Sequence, residues 1–296
     1  MLRKLFAMRA FFHGLFFFRG YFLSLLSGYS KIFAKEMSSM DRKAVIIPTY
    51  NEKENIENIA RAVFGLEGDY HIIIIDDGSP DGTADIVKRL QKEFPERMFL
   101  IERQGKLGLG TAYITGFKWA LEHGYDYIFE MDADFSHNPE DLPRLYRTCS
   151  EEGADLAIGS RYCDGVSVIN WPIGRVVMSY FASVYVRKVL GMKVYDTTAG
   201  FKCYRRRVLD TIDLDRIRLK GYGFQIEMKY TAFRLGFRLK EVPIIFVDRK
   251  EGTSKMSSGI FGEAFWGVIG MRFRKIRPRE GAEKGYDSGN RQEKAI

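Results

Sequence analysis

Histidine and cysteine are scarce in this chain, at four and three residues out of 296. The cysteines, Cys149, Cys163 and Cys203, are odd in number and widely spaced, and no Cys-x-x-Cys occurs. That pattern argues against a disulfide framework or a thiolate zinc site and points to a reducing compartment. Four histidines are too few for a His-rich metal centre. A bilayer-spanning run is lacking as well. The best stretch, Ala10–Leu26, has 17 residues, about 26 Å as a helix, and Arg19 sits near its middle. It offers no clean apolar h-region and no small-x-small cleavage site, which speaks against a signal peptide.

The body of the chain also lacks excess charge. Residues 1–40 carry six basic side chains against one acid, residues 272–296 eight against four, and the body between them 32 against 33. A near-neutral body argues against nucleic acid as a partner. Basic ends beside apolar segments suit an anionic membrane surface, although solvated tails would look the same. Eight phenylalanines fall between Phe6 and Phe33, broken by Arg9, His13 and Arg19. This segment reads as a helix lying in a membrane interface with its cations toward the headgroups. The alternative is an extension upstream of the true start, since Met37 and Met40 stand just before the first regular segment.

From Arg42 the pattern is regular. Strands are predicted at Ala44–Pro48, His71–Ile75, Met98–Glu102, Tyr127–Met131 and Asp155–Gly159. Helices are predicted between them at Glu52–Phe64, Asp81–Phe94, Thr111–His123 and Pro139–Glu152. Short apolar strands alternating with such helices are βαβ units. The expected fold class is α/β, a mostly parallel Rossmann-like sheet covered by helices on both faces. Helices at Gly174–Leu190 and Phe224–Leu235 and a strand at Leu239–Val247 follow without a linker, so they complete the same domain. The expected division is an apolar, basic segment over 1–40, one domain over 41–271, and a disordered basic tail over 272–296.

In an open parallel sheet, ligands sit beyond the carboxyl ends of the strands. Pro48-Thr49-Tyr50-Asn51-Glu52 follows the first strand and reads in part as a helix start capped by Asn51. Asp76-Asp77-Gly78-Ser79-Pro80-Asp81-Gly82-Thr83 follows the second. A turn with Asp81 as cap explains Gly78 and Asp81, whereas Asp76 and Asp77 exceed what a turn needs and suit base or ribose hydroxyls. Asp132-Ala133-Asp134 ends the fourth strand. Residues i and i+2 of an extended chain point the same way, and paired carboxylates repel unless a cation joins them. Oxygen-only ligation favours Mg²⁺ or Mn²⁺, with substrate phosphates completing the shell. Gly105–Gly110 is a Gly-rich loop that matches neither the Walker nor the dinucleotide pattern. Arg161 with Arg175, and Arg249 with Lys255, read as surface charge by themselves and as anion clamps beside a phosphate site.

Over roughly Lys43–Ser258 the chain resembles the dolichol-phosphate (polyprenyl-phosphate) mannose synthases of glycosyltransferase family 2, which have a GT-A fold. The resemblance is carried by PTYNE (48–52), DDGSPDGT (76–83), GKLGLGTAY (105–113), DADFSHNPED (132–141), GSRY (159–162), GYGFQIEM (221–228) and FVDRKEGTSK (246–255). It implies that Pro48, Tyr50, Glu52, Ile75, Asp77 and Ala133 hold GDP-mannose. Asp132 and Asp134 would bind the metal, with Asp134 nearest the diphosphate. Ser136 stands where some relatives carry Gln as a further ligand. Arg161, Arg175 and Ser179 would face the donor and acceptor phosphates, and Arg249 and Lys255 would close over the site. Thr253 departs from the Glu that relatives often carry. Some relatives have C-terminal membrane spans that are lacking here, which implies another anchor or membrane anchor subunits at the cytoplasmic face of a membrane.

The implied reaction is single displacement with inversion, moving mannose onto dolichyl or polyprenyl phosphate. A phosphate monoester acceptor is already ionised near neutrality and needs no strong base. The nearest alternative is the same fold using UDP-glucose. A nucleotidyltransferase, or a non-catalytic subunit that keeps the fold, are rivals from other classes.

Overall fold

The computed structural model describes residues 41–219, 221–248 and 258–282. The segment 1–40, Arg249, Lys255 and the tail beyond 282 lie outside the described residues. Strand β1 (Lys43–Thr49), β2 (Tyr70–Asp76), β3 (Met98–Glu102) and β4 (Tyr127–Glu130) alternate with helices α1 (Ile56–Phe64), α2 (Thr83–Glu93) and α3 (Leu109–Glu122). A 3₁₀ turn at Pro139–Asp141 leads into α4 (Leu142–Ser150) and β5 (Leu156–Ser160). The remainder comprises β6 (Val168–Ile169), α5 (Ile173–Leu190), β7 (Lys202–Arg205), α6 (Arg206–Thr211), α7 (Gly221–Arg234), β8 (Leu239–Pro243), β9 (Phe246–Val247) and α8 (Ser258–Phe273).

The main sheet has seven strands in the order β3-β2-β1-β4-β7-β5-β8. All its pairings are parallel except those of β7, which runs antiparallel to β4 and β5. The strand period explains the two cores. Val45, Ile47, Ile72 and Ile74 face α1, α2 and α4, while Ala44, Ile46, Ile73 and Ile75 face α3, α6 and α7. Each fully buried isoleucine contributes about 1.5–3 kcal/mol. Gly116 lets α3 lie directly on the sheet, because a Cβ there would stand 2.5 Å from Ile46 Cγ2. That close approach sets the Gly-rich loop preceding α3 beside the ends of β1 and β4. A third cluster, around Val186, Leu190, Ile226, Tyr230, Val268 and Met271, joins α5, α7 and α8.

Three expectations change. The predicted strand Leu239–Val247 is two, since β8 pairs with β5 and β9 with β6. Pro243 ends the first, and Ile244 N donates to Ser160 O at 3.0 Å. The helix expected from Glu52 begins at Ile56. Helix α8 has no counterpart among the predicted elements, because it is apolar on every side and shows no 3.6-residue period. No helix among the described residues is long and apolar enough to cross a membrane.

Candidate active site

The loops after β1 and β2 are stitched together. Asp76 Oδ1 accepts from Thr49 Oγ1 at 2.8 Å and from Ser79 Oγ at 2.6 Å, and its Oδ2 accepts from Ser79 N at 2.8 Å. Asp76 is therefore a strut of the turn, which corrects its reading as a surplus carboxylate. Asn51 N donates to Ser79 Oγ, Glu52 N to Thr83 Oγ1 and Lys53 N to Asp81 Oδ2, at 3.0, 3.0 and 3.1 Å. These bonds hold Asn51 at φ +60°, so it does not cap α1; Asn55 takes that place. Asp77 accepts from Arg103 Nε at 2.6 Å and from Leu107 N at 3.2 Å, and so positions the Gly-rich loop.

The turn after β4 is shaped around its two carboxylates. Tyr113 Oη donates to Asp132 Oδ1 at 3.1 Å. Burial, and then the Asp132 carboxylate, push the Tyr113 phenol well above its ordinary pKa, so it remains a donor. Asp132 N donates to His137 Nδ1 at 3.1 Å, which places the proton of a neutral imidazole on Nε2. Ser136 N donates to Asp134 Oδ1 at 3.1 Å. Between them Phe135 adopts φ +59°, a strained conformation for a bulky residue. The Ser136 hydroxyl is buried with no hydrogen-bond partner among the described residues. Beneath this turn Glu130 is fully buried and receives Tyr204 Oη at 2.7 Å, Gln225 Nε2 at 2.8 Å and the Lys202 ammonium at 3.0 Å. Burial lowers the Lys202 pKa, against the pull of Glu130.

Pro48, Tyr50, Glu52, Asp77, Asp132, Ala133 and Asp134 line one cleft of about 310 Å³. Ile75 does not; its side chain is fully buried in the core. Thr49, Lys106, Gly108, Leu109 and Ala112 complete the lining. Lys106 Nζ lies 4.8 Å from the centroid of the Tyr50 ring, a cation–π contact at the cleft edge.

The arginines form a second cluster. Arg161 grips the fully buried Asp196 in bidentate fashion, Nε to Oδ2 and Nη2 to Oδ1, both at 2.7 Å, and also donates to Thr198 Oγ1 at 2.8 Å. Burial alone would lower the guanidinium pKa, yet Asp196 outweighs it and raises it. Arg161 is thus neutralised from within the protein, a partnership its sequence context does not suggest. Arg175 Nη1 donates to Asp248 Oδ2 at 2.8 Å and its guanidinium lies 4.1 Å from the Trp171 ring centroid. Ser179 Oγ accepts from Tyr162 Oη at 2.8 Å. The ring of His137 stacks on Phe201 at 4.9 Å and meets Phe246 at 5.7 Å. Phe246 in turn meets Trp171 at 5.4 Å, so aromatic contacts run from the carboxylate turn to Arg175.

A family model for glycosyl transferase family 2 matches residues 44–213. The chain belongs to glycosyl transferase family 2. Polyprenol monophosphomannose synthase of Mycolicibacterium smegmatis is 48% identical over 240 residues, covering 80% of this chain and 90% of that protein. Undecaprenyl-phosphate mannosyltransferase of Micrococcus luteus is 46% identical over 245 residues, covering 81% and 99%. Glucosyl-3-phosphoglycerate synthase from Mycobacterium tuberculosis, solved with Mn²⁺, UDP and glucosyl-3-phosphoglycerate, aligns with a TM-score of 0.56 at 20% identity over 77% of each chain. That likeness is one of fold, and it makes this glycosyltransferase a GT-A type.

In this family 2 enzyme, no group of three His, Cys, Asp or Glu side chains able to hold a metal occurs among the described residues. A cation in the cleft would have the carboxylates of Asp132 and Asp134 and would draw further ligands from a substrate diphosphate. Oxygen-only donors in small number suit Mg²⁺ or Mn²⁺, so the residues fit such an ion. Arg103, Tyr113 and His137 are positioning residues that the sequence does not single out. Arg103 adjoins the Gly-rich loop, Tyr113 ends GKLGLGTAY and His137 lies in DADFSHNPED, motifs whose signal comes from other residues.

Proposed function

We propose that the chain transfers mannose from GDP-mannose to a polyprenyl (dolichyl-type) phosphate, with inversion at the sugar. The names of two relatives near half identity support polyprenyl-phosphate mannose synthesis. The observation that carries the chemistry is the pair Asp132 and Asp134 in the wall of a nucleotide-sized cleft. In this reading Pro48, Tyr50, Glu52, Asp77 and Ala133 hold the guanosine, with Ile75 contributing backbone only. Asp132 and Asp134, with Ser136 nearby, hold Mg²⁺ or Mn²⁺, which when bound neutralises the departing diphosphate.

The protein's remaining task is to bring two anions together. Arg175 and Ser179 take the acceptor phosphate. Arg161, already paired with Asp196, fixes the loop beside them, and Arg249 and Lys255 close over the donor. An ionised acceptor needs no general base, and the buried His137, whose Nδ1 accepts a backbone N–H, is built for positioning. Holding acceptor and donor in line replaces a repulsive encounter with an oriented one. The catalytic domain is residues 41–271 with α8 running on to Phe273, and the enzyme works at the cytoplasmic face of a membrane as a peripheral protein.

The test is turnover of purified protein with labelled GDP-mannose and, separately, UDP-glucose on undecaprenyl phosphate. Lipid-linked mannose with release of GDP, abolished by EDTA and restored by Mg²⁺ or Mn²⁺, is the expected result. A preference for UDP-glucose would replace the donor assignment, and release of pyrophosphate would replace the reaction class.

A further inference from the structure

Four side chains that line the cleft are acidic: Glu52, Asp77, Asp132 and Asp134. Lys106 is the one cationic side chain among the described residues that line it. Its ammonium lies over the Tyr50 ring, 4.8 Å from the centroid, and pairs with no carboxylate among the described residues. A lysine on a loose loop would sweep through solvent, but the backbone beneath this one is braced. Leu107 N donates to Asp77 Oδ2 at 3.2 Å. Arg103 Nε donates to Asp77 Oδ1 at 2.6 Å and its Nη1 to Thr111 Oγ1 at 2.9 Å. Arg103 N donates to Asp76 O at 2.8 Å, and Gly105 N to Arg103 O at 2.9 Å. The loop also lies directly against the turn after β2, since a Cβ on Gly78 would stand 3.1 Å from Gly105 N. Leu107, 56% exposed, and Leu109, 39% exposed, follow the lysine and add apolar surface to that side of the cleft. The ammonium is thus delivered to the face of Tyr50 by a fixed loop.

We infer that Lys106 is a specificity-determining residue that reads the O6 and N7 acceptors of guanine and so selects GDP over UDP donors. The inference rests on the donor proposed above. A base held at Tyr50 stacks on the ring. It takes the face that the ammonium covers in the free protein, and the ammonium moves to the edge of the base. An ammonium has three N–H donors and no acceptor, so it favours whichever edge can accept most. Guanine sets two acceptors, O6 and N7, side by side. Adenine places an amino donor next to N7, which opposes the ammonium, and uracil offers O4 alone beside a C5–H. The ionised carboxylates of the cleft accept and do not donate, so they cannot take over this contact. The diphosphate is the other group that attracts an ammonium, but GDP and UDP share it. A comparison of bases therefore separates the two roles.

The experiment is calorimetric titration of the full chain with nucleoside diphosphates in Mg²⁺, with no sugar and no lipid present. The set is GDP, UDP and 7-deaza-GDP, in which a C–H replaces N7. The wild-type chain is expected to bind GDP about tenfold more tightly than either of the others. Lys106→Met keeps the aliphatic stem and removes the charge. It should weaken GDP about tenfold and leave UDP and 7-deaza-GDP within about twofold, with an unchanged melting temperature. Lys106→Arg, whose guanidinium also matches O6 and N7, should restore the preference. Equal binding of GDP and 7-deaza-GDP by the wild-type chain overturns the inference. So does a preference for GDP that survives in Lys106→Met. An equal loss for GDP and UDP in that variant would assign the ammonium to the diphosphate and overturn it too. Tighter binding of UDP than of GDP by the wild-type chain would instead remove the donor proposed above, and this inference with it.

Discussion

The nucleotide side of the site and the arginine side are built in different ways. Around Thr49, Asp76, Ser79, Asp81 and Thr83, adjacent parallel strands end in register and their loops exchange short side chain–backbone hydrogen bonds. The arginine side draws on residues far apart in the chain: Arg161 with Asp196, Arg175 with Asp248, His137 with Phe246. The first is braced by a mesh of hydrogen bonds between the loops of two neighbouring parallel strands. The second depends on two ion pairs, one buried and one half-exposed, and on an aromatic bridge. A loss in the first half should register mainly in donor and metal binding. In the second it should divide between stability and acceptor binding, according to burial.

Four substitutions test that division. The largest effect is expected for Asp134→Ala, a loss of about 10³-fold or more in kcat, or ~4 kcal/mol, with the fold intact by circular dichroism. Near-normal turnover in that variant would remove the carboxylate pair from the mechanism. Arg161→Met should cost about 3 kcal/mol or more in urea unfolding, because it leaves the Asp196 carboxylate buried and unpaired. If stability is unchanged and only acceptor binding suffers, Arg161 is an anion clamp and not a strut. Asp76→Ala, which breaks three hydrogen bonds of one buried carboxylate, should destabilise by ~2 kcal/mol and raise the KM for the nucleotide sugar. Arg175→Met removes a half-exposed pair, so stability should move by less than ~1 kcal/mol while the acceptor KM rises about tenfold.

The smallest effect lies at the far end of the sheet. His71 Nδ1 pairs with Tyr125 Oη at 2.7 Å, and burial lowers its pKa despite the nearby Asp69. The folded state thus binds fewer protons than the unfolded chain below the ordinary histidine pKa of about 6.5. Stability should fall as pH drops through that value, by less than ~1 kcal/mol, and this component should vanish in His71→Phe. Melting curves at about pH 7.5 and pH 5.5 check it.

How much was legible in the sequence differs between the two halves for the same reason. Asp132 and Asp134 could be found because two carboxylates one residue apart follow an apolar strand, although the structure ends β4 at Glu130 and sets them in the turn beyond it; the loops after β1 and β2 could be found because parallel strands deliver them to one edge. Lys106 stands in the Gly-rich loop, but only the structure sets it over Tyr50. Asp196, the partner that neutralises Arg161, sits in a segment with no motif. Helix α8 was hidden because it is apolar all round, and the break between β8 and β9 because both halves are equally strand-like.

The sequence by itself determined the alternation of strands and helices, the two-faced core and the chemical type of the site, since each follows from local periodicity or from residue kinds at fixed spacing. Tertiary structure alone decided which carboxylates are struts and which face the cleft, and which arginine is neutralised. Those outcomes depend on what packs against each side chain, and the residues that do so lie tens of positions away along the chain.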